Sequence, residues 1–141
     1  MALYDARYAA APAFNVRAVE AGDAAEMVSR LTNEFAAAVT AGEARIVDFK
    51  IAGAASGLLW QAWFVVGTSE IGIPTAPLAG PAGVRVVAAE AGSPAEALFY
   101  AKQRLAAAIG VTPSLIFKTV VAGAGDGPTF MAIIVFAAQP G

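Results

Sequence analysis

The sequence predicts an α+β fold made by tandem duplication of a βαββ unit, with antiparallel sheets, one amphipathic helix per copy and a pseudo-twofold between the copies. Three observations predict it. Residues 14–68 align with residues 84–138 without a gap, and 17 of the 55 aligned pairs are identical, where this Ala-rich composition gives about five by chance. A helix-start signature falls at the same place in each half. On both sides of each helix the apolar pattern changes to that of strands.

The helices come first. Glu20-Ala-Gly-Asp23-Ala-Ala-Glu26 matches Glu90-Ala-Gly-Ser93-Pro-Ala-Glu96. Asp23 and Ser93 are N-cap residues with a glutamate three positions on, the reciprocal capping box, and Pro94 takes the first helical position, where a missing N–H costs nothing. Helices are expected to start at about Ala24 and Pro94. Met27, Leu31, Phe35 and Val39 form the apolar stripe of the first, and Leu98, Ala101, Leu105 and Ile109 that of the second.

Strands are expected at Phe14–Val19, Arg45–Ala52 and Leu58–Val66, and again at Val84–Ala89, Leu115–Ala122 and Thr129–Phe136. Gly57 and residues 124–127 mark the hairpin turns. The organisation is an extended N-terminal arm at 1–13, copy one at 14–68, a Pro/Gly crossover loop at 69–83 and copy two at 84–141, all in one compact domain.

Composition then narrows the function classes. Apolar residues make up 58% and charged residues 14%, too few charges to cover an ordinary monomer surface. The apolar runs are too short to span a membrane as helices, and the N-terminus has no signal-peptide layout. A net charge of −2, with nine basic residues unclustered, argues against nucleic acid. No cysteine or histidine is present, which removes thiol nucleophiles, the commonest general base and the preferred zinc ligands. No enzyme, cofactor or metal site is expected.

The last strand of each copy is apolar on both faces: Trp60, Ala62, Phe64 and Val66 oppose Trp63 and Val65, and Phe130, Ala132, Ile134 and Phe136 oppose Met131, Ile133 and Val135. A helix covers one face only. The other must meet a second sheet, within the chain or between chains, and the expectation is a homo-oligomer whose interface uses Trp60, Trp63, Val65, Met131, Ile133 and Val135. Leu3, Tyr4 and Tyr8 of the arm are further anchors. Two copies per chain favour a trimer that imitates six modules, and a dimer stays open.

Asp48 and Lys118 stand at equivalent mid-strand positions, and an ion pair between the copies is expected there, with Lys50 able to serve the same carboxylate. Glu26 and Glu96 are explained as caps. Glu20 and Glu90 match at strand-to-helix corners and have a weaker claim to a site. Trp60 and Trp63 read as core or interface, or as an aromatic platform for a planar ligand.

The strand-helix-strand-strand order resembles the module found singly in dodecins and doubled in GyrI-like effector-binding domains. The first resemblance implies a flavin stacked on tryptophan in a dodecamer. The positions of Trp60 and Trp63, however, are Phe130 and Ile133 in copy two. The second implies a small-molecule pocket with an acid in its closing strands, where residues 129–138 have none. The composition, the arm and the crossover loop also look like bacteriophage head decoration (cement) proteins. That resemblance implies a structural role in a virion, with the major capsid protein as partner.

Overall fold

The computed structural model describes residues 14–43, 45–53, 60–67, 76–78, 83–110, 112, 114–123 and 129–138. It is an α+β structure of two antiparallel sheets and two helices. In chain order the elements are β1 (Phe14–Ala21), α1 (Ala24–Thr40), β2 (Arg45–Gly53), β3 (Trp60–Gly67), β4 (Ala76–Pro77), β5 (Val84–Ala91), α2 (Pro94–Ile109), β6 (Ser114–Gly123) and β7 (Phe130–Ala138). One sheet has the order β1-β3-β2-β4 and is called sheet A; the other, β5-β7-β6, is sheet B.

Both helices begin where their capping residues place them. The Asp23 carboxylate accepts the Glu26 N–H at 2.8 Å and the Ser93 hydroxyl that of Glu96 at 3.2 Å, while the two glutamates reach back to the N–H groups of Gly22 and Gly92. The return bond thus goes one residue before the cap. The second helix stops at Gly110, whose φ of 59° suits a residue without Cβ. Along α1 the buried stripe is Ala24, Met27, Leu31, Phe35 and Ala38, and Val39 is exposed. A true 3.6-residue period drifts off a strict spacing of four within four turns, so the stripe ends one residue earlier than expected.

Strand pairing recurs along the chain. Phe14 faces Gly67 and Arg45 faces Gly67 in sheet A, while Val84 faces Ala137 and Leu115 faces Ala137 in sheet B. A bulge interrupts β2 between Ile46 and Asp48 and β6 between Ile116 and Lys118. The crossover loop adds one short element that the sequence did not suggest. Its two-residue β4 pairs at the outside of β2, where the missing N–H of Pro77 breaks no inner ladder.

The two sheets bury unlike faces. In sheet A the side bearing Ala62, Phe64 and Val66 joins Met27, Leu31 and Phe35 of α1 in the main core, with Phe35 edge-on to Phe64 at 4.9 Å. That same core takes Val86, Ala88, Met131, Ile133 and Val135 from the side of sheet B that α2 leaves bare. The opposite side of sheet B, with Ala132, Ile134 and Phe136, packs under Ala97 and Ala101 of α2. The first half therefore presents its helix-bearing side to the bare side of the second. Strand β2 runs beside β6, and α1 lies against both β1 and β5.

This arrangement corrects the expected pseudo-twofold. A twofold brings equivalent faces together, whereas here Phe64 lies in the shared core and its aligned partner Ile134 lies under α2. The amount of apolar surface decides the packing: sheet B's bare side is the greasier one, with Met131 and Ile133 where sheet A has Gln61 and Trp63, so it is the side withdrawn from water.

Candidate functional site

The expected interface residues divide into three groups. Trp60, Met131, Ile133 and Val135 are buried within the chain, so their assignment to a contact between subunits is corrected: they lie in the core that the two halves of the same chain share. Trp60 also spends its indole N–H internally, donating to Glu90 Oε2 at 3.2 Å. Leu3, Tyr4 and Tyr8 lie outside the described residues. Trp63 and Val65 remain on the outward side of sheet A, where Trp63 is 36% and neighbouring Val16 57% exposed, with Val65 half-buried and Ala18 exposed beside them.

That outward side follows from strand alternation. The register sets Ala18 opposite Trp63 and Val16 opposite Val65, and cross-strand partners in an antiparallel pair share a face. Asp48 and Lys50, opposite Val65 and Trp63, stand on it too. At its β1 end a groove of about 700 Å³ is lined by Glu20, Arg30, Asn33, Glu34, Gln61 and Trp63, together with Ala18, Val19 and Ala62. Its polar groups largely satisfy one another. Gln61 donates to Glu20 at 3.0 Å, and Arg30 binds Glu26 at 3.0 Å and the Glu20 carbonyl at 3.1 Å.

A second, more apolar groove of about 450 Å³ lies between α1 and β5, bounded by Phe35, Val39, Leu78 and Val84 among others. Among the described residues no group of three or more acids, histidines or cysteines is placed to hold a metal ion. No helix among them is long and apolar enough to cross a membrane.

Asp48 and Lys118 meet across the β2 and β6 edges with Nζ to Oδ1 at 2.9 Å. Here alone among the named contacts, equivalent positions of the two halves touch. Burial pushes the Asp48 carboxyl up, but the Lys118 hydrogen bond, the Phe49 N–H and the charges of Lys118 and Lys50 outweigh it and leave the group below its ordinary value. Both side chains are over a third exposed, so the pair contributes under about 1 kcal/mol and serves mainly to set the register of the two edges.

Glu20 and Glu90 show how far matched residues can diverge. Glu20 stays at the surface with the Gln61 amide. Glu90 accepts the Ala24 N–H at 3.0 Å through one oxygen and the Trp60 indole through the other. It sits at the positive end of α1 and ties the second half to the first.

Sequence reasoning missed a further cluster. Arg17 on β1 binds Glu34 of α1 at 2.7 Å and Glu43 at 2.6 Å, and Asn15 adds a bond to Glu43. The Arg17 hydrogen bond holds the Glu43 carboxyl below its usual range against a smaller opposing effect of burial. The aligned positions in the second half are Val87, Arg104 and Pro113; this contrast was the available signal. Comparison with family models, with curated proteins and with solved structures found no match to this chain.

Proposed function

We propose that the chain is a structural, non-enzymatic protein that assembles with itself, a bacteriophage capsid decoration or stabilising protein that acts by burying surface at interfaces. One observation carries the reading. The outward side of sheet A leaves Val16 and Trp63 in water beside Ala18 and Val65, while the aligned residues Val86, Ile133, Ala88 and Val135 are all withdrawn from it. A bare sheet side that is covered once in the chain and left open once favours a further subunit as its cover. A trimer, placed on the major capsid protein in a virion, is the assembly proposed.

The same reading takes the two halves as a tandem βαββ duplication. Its support is the recurrence of the strand pairing and of the bulge, position for position, together with the capping signature. Light scattering on the whole chain tests the assembly, and removal of residues 1–13 tests the capsid role. The truncated chain is expected to lose incorporation into particles. A monomer in scattering, or particle binding unchanged by the truncation, refutes the corresponding half of the reading.

A second reading, a module that binds a planar ligand, draws on the groove beside Trp63, whose indole edges a pocket with carboxylate and amide groups. Trp60 contributes nothing to that pocket, being buried and bonded to Glu90. Quenching of Trp63 fluorescence by flavin, absent in Trp63→Phe, is the outcome this reading requires.

A further inference from the structure

We infer that the outward side of sheet A is the docking site for α2 of a second copy of this chain, giving a head-to-tail contact rather than a symmetric face-to-face one. The inference rests on the self-assembly proposed above and adds which surfaces meet. Within one chain the contact between the halves is already of this kind: the helix-bearing side of one covers the bare side of the other. Repeating that relation between molecules brings the helix-bearing side of the second half, whose outer layer is α2, onto the bare side of the first half of a neighbour.

The exposed surface of α2 is built for contact in a way that α1 is not. Phe99 and Tyr100 are 56% and 40% exposed and touch each other with ring centroids 5.7 Å apart. At the aligned positions α1 carries Ser29 and Arg30. Rigid aromatics left in water are what contact anchors look like before the partner arrives. The receiving surface offers Val16, Ala18, Trp63 and Val65, an apolar patch with a Trp large enough to stack on them, bordered on its β2 side by Asp48 and Lys50.

Charge agrees with this pairing. Beside the aromatic pair, α2 carries Lys102, which has no carboxylate partner among the described residues. At the rim of the patch stands Glu20, whose carboxylate accepts the Gln61 amide and has no ion pair among the described residues. Opposite charges on α2 and at the rim of the patch, neither in an ion pair among the described residues, add electrostatic complementarity to this pairing. A head-to-tail contact closes into a ring when the rotation allows it, which accords with a trimer.

Two variants and their mixture test this by sedimentation of the full-length chain, with far-UV circular dichroism to establish that each is folded. Phe99→Ser with Tyr100→Arg gives α2 the residues of α1; Val16→Glu with Trp63→Glu spoils the sheet. Each alone is expected to lose the oligomer. Their equimolar mixture is expected to form a capped pair of two chains, since each retains the surface the other lacks.

The head-to-tail contact is overturned while self-assembly survives if the α2 variant assembles like the parent, or if both variants are monomers and the mixture forms no pair. An assembly lost on removing residues 1–13 but kept by both double variants overturns it as well, by naming the arm as the occupant. A parent chain that is a monomer at every concentration removes the self-assembly reading and this contact together. Glu20→Lys is expected to weaken association about fivefold, with recovery on adding Lys102→Glu.

Discussion

Sheets A and B share the order and register of their three long strands and a bulge, yet one has a dry bare side and the other a wet one. The difference lies in side chains rather than in backbone. In sheet B the bare side carries Met131, Ile133 and Val135 and is sealed by the first half of the chain; in sheet A the corresponding side carries Gln61, Trp63 and Val65 and faces out. The backbone of a small α+β unit does not say which of its faces becomes interior. Relative greasiness does, and only when both units are in place.

The largest effect should come from placing a charge at one pair of matched positions. Val86→Asp puts an unpaired carboxylate in the shared core and should cost at least about 3 kcal/mol, enough to unfold much of the protein. Val16→Asp, on the outward side of sheet A, should move the stability of the dissociated chain by no more than about 0.5 kcal/mol. Urea unfolding of the two variants measures both, and equal losses would mean that the two faces do not differ as described.

A smaller effect is expected at the matched glutamates. Glu90→Ala leaves the Ala24 N–H and the Trp60 indole without their acceptor and should cost about 1–3 kcal/mol, whereas Glu20→Ala removes a surface contact and should cost under about 0.5 kcal/mol. Thermal unfolding compares them. Trp60 emission should change in the first variant alone.

The smallest effect is acid sensitivity, and it should map to the first half. Glu43 and Asp48 both have carboxyls held below their ordinary values of 4.5 and 3.8. A carboxyl that is more acidic folded than unfolded stabilises the fold above its unfolded value, and that contribution disappears as the pH falls through the folded one. Stability should therefore decline below about pH 4.5, by under about 1 kcal/mol for the exposed Asp48 pair. Arg17→Met should flatten the decline by removing the partner of Glu43. Unfolding midpoints at pH 7, 4 and 3 read the slope; an unchanged slope in the variant would assign it elsewhere.

Much of the fold was legible because it is encoded locally. Asp23 and Ser93 announced the helix starts at the correct residue, and the short runs around Trp60 and Phe130, apolar on both faces and preceded by turn residues, announced strands. The Asp48 and Lys118 positions could be named together because they match in the alignment. The choice between faces was not legible. Trp60 and Trp63 are three residues apart in one strand and look alike as letters, yet one is buried with its N–H bonded to Glu90 and the other borders a groove. The separate fates of Glu20 and Glu90 were hidden for the same reason, since an identical residue meets the rest of the molecule only once the halves are docked.

The bulge in β6 bears on a hazard that any greasy two-sheet protein faces. An exposed outer strand with a straight, regular backbone invites other chains to add to it, the first step towards fibres. The outer strand β6 of sheet B carries such a bulge at Phe117, which puts its ladder out of step and increases the local twist, and β2 runs beside it, so a flat incoming strand finds no continuous run of donors and acceptors there. The molecule can thus expose a sticky sheet surface for orderly contacts while this border of sheet B discourages uncontrolled strand addition.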